Sequence, residues 1–183
     1  MNKYSQYSDF QLINLLKGNK NESEQAFTEI YTRYSQRLYA YCLRMVGNSE
    51  DASDIFQECF LKFFSSSQNE AYIDNIRAYL FRIARNLCIN RNRNHKQFSI
   101  LNDDNLISSD TDYADKELMD ILISSLDVLE FQYREVFILR QFQGLSYKEI
   151  AEITGEPLST LKNRVWRAKE KLKTILTHYL EEF

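Results

Sequence analysis

Strong breakers of regular structure occur at only five positions in this chain: Gly18, Gly47, Gly144, Gly155 and Pro157. A 183-residue chain built from sheets needs many tight turns, and no alternating run with hairpin turns stands out. Long helices are what remains, and all four glycines fall at expected helix boundaries. Ser8 with Gln11 makes a capping box before a helix over 9–17, which Gly18 stops. Phe27, Ile30, Tyr31, Tyr34, Leu38 and Tyr41 recur at helical steps and predict a helix over 22–46, closed by Gly47. Asn48 or Ser49 caps the next helix, whose first turns carry Glu50, Asp51 and Asp54, as the helix dipole favours. That helix is expected to bury Ile55, Phe56, Cys59, Phe60 and Phe63, and to expose Asp51, Asp54, Gln57 and Glu58. The fold class is therefore all-α.

The stretch from Gly144 to Lys173 is the most informative. Ser146 with Glu149 forms a capping box, Gly155 is suited to a left-handed helix end, and Pro157 stands where a new helix opens. Helix, short glycine-containing turn and helix make a helix-turn-helix. At about 100° per residue, Leu158, Leu161, Val165, Ala168, Leu172 and Ile175 share an inward arc. Ser159, Thr160, Asn163 and Arg167 take the opposite arc, flanked by Lys162, Arg164 and Trp166. Hydrogen-bonding side chains at the start of such a helix are what reading a DNA major groove requires. An ordinary helical hairpin with a solvated face is the plainer alternative. The charges from Glu156 to Lys173, six basic against two acidic, favour DNA.

A second basic element precedes it. After a polar break over 65–75, a helix is expected over 75–93, with Ile76, Leu80, Ile83 and Leu87 on one side. Arg82, Arg85, Asn86 and Arg93 cluster opposite, and between Arg77 and Lys96 there are six basic residues and no acidic one. From Gln97 to Asp120 the sign reverses, with seven acidic residues and one lysine. The organisation read from this is a first helical domain over 1–97, a flexible acidic linker over 98–116, and a helix-turn-helix domain over 117–183. The net charge of −3 does not exclude nucleic acid when the charges are segregated in this way.

Other functions find little support. Cys42, Cys59 and Cys88 stand far apart, and His95 and His178 are the only histidines, so neither a metal site nor a disulfide framework is expected. The cysteines sit among apolar residues as buried free thiols would. No catalytic set or phosphate loop is present, so no enzyme activity and no cofactor are expected. Without a signal peptide or long apolar span, the expected location is the cytoplasm, with no membrane insertion.

Three stretches together resemble the bacterial RNA polymerase sigma factors of the extracytoplasmic-function group. AFTEIYTRYSQRLYAYCLRMVGNSEDASDIFQECFLKFF is similar to their region 2 core, AYLFRIARNLCINRNR to their promoter-reading helix, and YREVFILRQFQGLSYKEIAEITGEPLSTLKNRVWRAKEKL to their region 4. The resemblance implies that Asp51, Asp54, Gln57, Glu58 and Phe60 dock on the clamp of the polymerase largest subunit. It implies that the 75–93 helix reads and opens the −10 element through Arg82, Arg85, Asn86 and Arg93, with Tyr72 and Asn69 in the preceding loop as candidates to hold extruded bases. Ser159, Thr160, Lys162, Asn163, Arg164 and Arg167 would read the −35 element. The flap of the second-largest subunit and an anti-sigma factor are further implied partners, and the acidic linker would thread the polymerase channels. The chain departs from the family pattern at Tyr79-Leu80, Asn90, Leu129-Glu130-Phe131 and Leu158-Ser159-Thr160-Leu161. The alternative from the residues themselves is a stand-alone helix-turn-helix regulator that binds an operator as a dimer.

Overall fold

The computed structural model describes residues 3–68, 73–95 and 121–181, and among them every regular element is helical. The chain divides into two compact units, residues 1–98 and 99–183. The linker residues 98–116 lie outside the described residues.

In the first unit a 3-10 turn, Lys3–Gln6, leads into α1 (Asp9–Leu16), α2 (Lys20–Val46), α3 (Ser49–Gln68) and α4 (Ile76–His95). Side-chain caps set each start. Ser8 Oγ accepts from the Gln11 N–H at 3.3 Å while the Gln11 side chain accepts from the Ser8 N–H at 2.8 Å. Asn19 and Glu22 make the same reciprocal pair, at 3.0 and 3.3 Å, and so α2 begins at Lys20, two residues before the expected start at Glu22. Asn48 Oδ1 accepts from the Asp51 N–H at 2.8 Å, and Asn75 Oδ1 accepts from the Ala78 N–H at 2.9 Å. At its far end α3 runs on to Gln68, so the first four residues of the expected polar break are helix. Tertiary contact explains the extension: Ser67 is fully buried, and Gln68 Nε2 donates to the Leu16 carbonyl at the end of α1 at 2.6 Å.

α2 packs on α1, α3 and α4 and forms the axis of the unit. Leu38, Tyr41, Cys42 and Met45 of α2, Ala52, Ile55, Cys59 and Phe63 of α3, and Leu80, Phe81, Ala84 and Cys88 of α4 are buried. Phe64, Phe27, Phe60, Tyr31, Phe56 and Tyr39 form a ladder of mostly edge-on rings along the α2–α3 seam, with centroids 4.9 to 6.0 Å apart. Cys42, Cys59 and Cys88 are buried free thiols. Burial, helped by neighbouring Cys88, pushes the Cys59 pKa up to about 12, which keeps that thiol protonated and unreactive.

Arg33 fastens the first residues to α2. Its guanidinium donates to Glu29 at 2.8 Å, to Asp9 at 3.1 Å, and to the carbonyls of Tyr4, Ser5 and Tyr7 at 3.2, 3.1 and 2.7 Å. Burial works against that charge, and the carboxylates of Glu29 and Asp9 more than offset it, so the Arg33 pKa is raised. Tyr34 donates its phenol proton to the other oxygen of Asp9.

The first described residues of the second unit, 121–125, are helical and lead into a 3-10 turn, Leu126–Val128. α5 (Phe131–Phe137) widens into a π-helical turn, Ile138–Phe142, and is followed by α6 (Tyr147–Thr154) and α7 (Leu158–Glu181). No side chain caps α5 at Glu130. Arg134 fixes that corner instead, donating to the carbonyls of Asp127 and Leu129 at 3.0 and 3.3 Å and pairing with the Asp127 carboxylate at 3.1 Å. Burial lowers the Arg134 pKa, with Asp127 pulling the other way. The core joins Val136, Ile138, Leu139, Leu145 and Ile150 to Leu161, Val165, Ala168 and Leu172 of α7.

Two buried rows differ from the helical reading. On α4 the interior row is Ile76, Leu80, Phe81, Ala84 and Cys88, while Ile83 and Leu87 are only half-buried. α4 packs against both α2 and α3, which widens and rotates its buried arc. On α7, Leu158 lies on the inward arc yet is 47% exposed at the first residue of the helix, and Ile175 is half-buried.

Gly155 closes α6 at φ 74°, its N–H donating to the Ala151 carbonyl at 2.8 Å. A Cβ there would meet no neighbour within 4 Å, so the cost of Gly155→Ala is the strain of holding an L-residue in the left-handed conformation. The expected cost is about 1–2 kcal/mol, read as a lower urea midpoint with an unchanged m-value.

Candidate nucleic-acid interface

The second unit presents α7 across a tight turn. Ser146 caps α6, accepting from the Glu149 N–H at 3.2 Å, and Glu149 accepts from the Ser146 N–H at 2.8 Å. After Gly155 the Glu156 N–H donates to Thr154 Oγ1 at 3.3 Å, and α7 opens behind Pro157. With Leu161, Val165, Ala168 and Leu172 buried, the opposite face is fixed outward. Ser159, Lys162, Asn163 and Arg167 are exposed and Thr160 is half-buried. Trp166, 60% exposed, borders this face. Arg164, expected on the flank of this face, has a side chain only 18% exposed that pairs with Glu156 at 3.2 Å. The ion pair turns this guanidinium back onto the residue that precedes Pro157.

In the first unit α4 carries the other candidate face. Arg82, Asn86 and Arg93 are exposed on one side and Arg85 is half-buried. Tyr72 and Asn69 lie outside the described residues. Arg91 belongs to a different surface, pairing with Asp51 at 2.9 Å and Asp54 at 3.4 Å across to α3. These pairs join the helix that carries the basic face to the helix that carries the acidic one.

That acidic face is narrower than expected. Asp54, Gln57 and Glu58 are exposed, with Glu58 paired to Lys62 at 3.1 Å and Leu61 standing 70% exposed beside them. Asp51 is buried rather than exposed, because its carboxylate accepts from Arg91 and its backbone N–H is held by Asn48. Phe60 is buried as expected from its helical position, in the ring ladder with Phe27, Tyr31 and Phe56, so its ring is not part of an open docking surface. Half-buried Phe56 edges the ladder.

Sequence reasoning passed over two features of the second unit. Tyr133 of α5 stands against α7, its hydroxyl 3.5 Å from Arg167 Nη1 and its ring 5.0 Å below Lys171 Nζ. Lys171 follows Arg167 by four residues, one helical turn on, and that spacing was the available signal. Leu122, Phe137, Phe142, Leu172 and Leu176 also line an apolar groove rimmed by Lys169 and Lys173. It arises from helices brought together by folding and leaves no contiguous motif.

Known proteins match both units. The Sigma-70 region 2 family profile matches residues 30–98, and the profile of Sigma-70, region 4 matches residues 119–172. RNA polymerase sigma factor SigV of Bacillus subtilis is 30% identical over 162 residues, covering 86% of this chain and 95% of SigV. YlaC of the same organism, also an RNA polymerase sigma factor, is 32% identical, covering 84% of this chain and 94% of YlaC. The ECF RNA polymerase sigma factor SigW is 30% identical, with coverage of 86% and 92%. Among solved structures, CnrH in complex with the cytosolic domain of CnrY superposes with a TM-score of 0.71 at 24% identity, over 93% of this chain and 97% of that one. That likeness is one of fold.

Proposed function

The chain belongs to the extracytoplasmic-function group of sigma-70 factors, which direct RNA polymerase to promoters, and from that premise we propose how its surfaces divide the work. The outward row Ser159, Asn163 and Arg167, with Thr160 and Lys162, reads the −35 element in the major groove. Arg82, Asn86 and Arg93, with Arg85 at the edge, hold the −10 element while it opens. Opening extrudes bases at a cost of a few kcal/mol each, which contacts to the separated strand must offset. Asn69 and Tyr72 remain the candidates for holding those bases. Arg164 acts by bracing the turn through Glu156. Asp54, Gln57 and Glu58 dock on the clamp of the polymerase largest subunit, while Asp51 and Phe60 shape that face from inside. The apolar groove lined by Phe137, Phe142 and Leu172 receives the flap of the second-largest subunit. The factor acts by binding, in the cytoplasm with the polymerase, and an anti-sigma factor restrains it. No helix of the described residues is long and apolar enough to cross a membrane.

The observation that carries this reading is the separation on α7 of the buried row Leu161, Val165, Ala168 and Leu172 from an outward row of hydrogen-bonding side chains. Run-off transcription with core polymerase over a promoter library tests it. Start sites chosen only when core and this protein are both present are expected. No start-site selection, together with tight dimeric binding to an inverted repeat, would establish the stand-alone regulator instead.

Glu58→Ala tests the docking face separately. Its pair with Lys62 is half exposed and contributes little, so removing the carboxylate leaves the helix intact. Core affinity is expected to fall by about 1 kcal/mol or more, roughly fivefold, with DNA contacts of the free protein unchanged. Unaltered core affinity in a fluorescence titration would exclude this face.

A further inference from the structure

We infer that Tyr133 is a positioning residue for Arg167, an assignment that rests on the −35 reading of α7. Asn163, Arg167 and Lys171 follow one another at four-residue steps along the outward side of α7. Tyr133, in the first turn of α5, stands at the edge of that row. Its backbone N–H donates to the Glu130 carbonyl at 2.9 Å, which fixes the position from which the ring projects.

The ring is then held from the other side. Lys171 Nζ sits over it at 5.0 Å from the centroid and also reaches Glu130 Oε1 at 3.4 Å. Glu130, Lys171 and the Tyr133 ring thus form a three-part support at the base of the row. The hydroxyl of that supported ring accepts from Arg167 Nη1 at 3.5 Å.

This geometry suits a reader. An exposed arginine samples many rotamers, and binding must select one of them. A tyrosine has few rotamers of its own and presents a fixed acceptor. At 3.5 Å the bond is long, so it biases the guanidinium without sequestering it. One terminal nitrogen is engaged, and the guanidinium keeps donors for the O6 and N7 edge of a guanine. Arg164 is the contrast: its full ion pair with Glu156 holds it back from the face.

The test uses the full chain with core polymerase and four proteins: wild type, Tyr133→Phe, Arg167→Ala and the double variant. Each is assayed on promoters carrying single base-pair changes through the −35 and −10 elements. Tyr133→Phe keeps the ring under Lys171 and removes only the acceptor. It is expected to reduce discrimination at the base pair governed by Arg167 by about threefold to tenfold, leaving the −10 profile and the thermal midpoint unchanged. In the Arg167→Ala background it should have no further effect. A loss that persists in that background, or spreads evenly over all positions, would mean a structural role and overturn the assignment. Arg167→Ala without any base-pair dependence would sink the −35 reading itself. Arg167→Ala with such dependence, beside a silent Tyr133→Phe, would sink the positioning role alone.

Discussion

Arg167→Ala is expected to lose between about fivefold and 150-fold in selection of its −35 element, the equivalent of about 1–3 kcal/mol for one good bidentate base contact. Arg167 is exposed on the outward row, and the core beneath it is made by Leu161, Val165, Ala168 and Leu172. Removing it therefore takes away the proposed reader and leaves the packing alone. The loss should be confined to promoters carrying the preferred base pair at one position, as multi-template transcription at fixed salt would reveal. Lys169→Ala gives the contrast. Lys169 is exposed at the rim of the apolar groove, about 120° around the helix from the row, so its removal should leave base-pair selection at the −35 element unchanged. Equal losses on every template for Arg167→Ala would reassign it to the phosphate backbone.

The second large effect is on stability. Phe81→Ala should destabilise the first unit by about 3–5 kcal/mol, the range for emptying a buried phenylalanine site. Phe81 is 1% exposed on α4, and its ring meets Tyr41 of α2 edge-on at 5.2 Å between centroids. Both rings are interior, so the cavity cannot be relieved by a shift toward solvent. Against a total of about 5–15 kcal/mol for a small domain, a loss of that size takes away much of the margin. Thermal or urea unfolding followed by circular dichroism measures it. Leu61→Ala, at a 70% exposed site on α3, should stay within about 0.5 kcal/mol of wild type. A Phe81→Ala protein as stable as Leu61→Ala would show that α4 is not held by this contact. The two classes separate cleanly on one helix: Phe81 supports α4, whereas Arg82 next to it faces outward and is a candidate for function.

Helix existence and helix ends were legible wherever the signal was local. Ser8 with Gln11, Ser146 with Glu149, Gly47 and Gly155 each satisfy or release backbone groups within four residues, and each works as read. Asn19 with Glu22 has the same chemistry and was passed over because asparagine took the place of serine or threonine in the pattern. Interior assignments were harder. Small Ala84 and Cys88 carry weak hydropathy beside Ile83 and Leu87, yet contact with two neighbouring helices selects the smaller pair. Periodicity gives the direction of a side chain and not whether another element reaches it, which is why Leu158 points inward and remains half exposed.

The charged residues divide along the same line. Asp54, Gln57 and Glu58 lie outward as their helical positions require. Asp51 does not, because Arg91, forty residues on, meets it at 2.9 Å. Arg164 is likewise drawn from the open face by Glu156. A partner across a fold, or across a turn, is invisible to charge counting along one helix. The Tyr133 contact with Arg167 is of the same kind, since it depends on α5 lying against α7.

The two rows of α7 share no residue, and this bears on how such a factor changes its targets over generations. On the proposed −35 reading, exchanges at Ser159, Asn163 or Arg167 would alter what is read without emptying any core site, whereas exchanges at Leu161, Val165 or Leu172 fall on buried positions and are judged by folding first. A duplicated copy could then be re-aimed through the outward row alone, with the buried row that holds α7 left as it is.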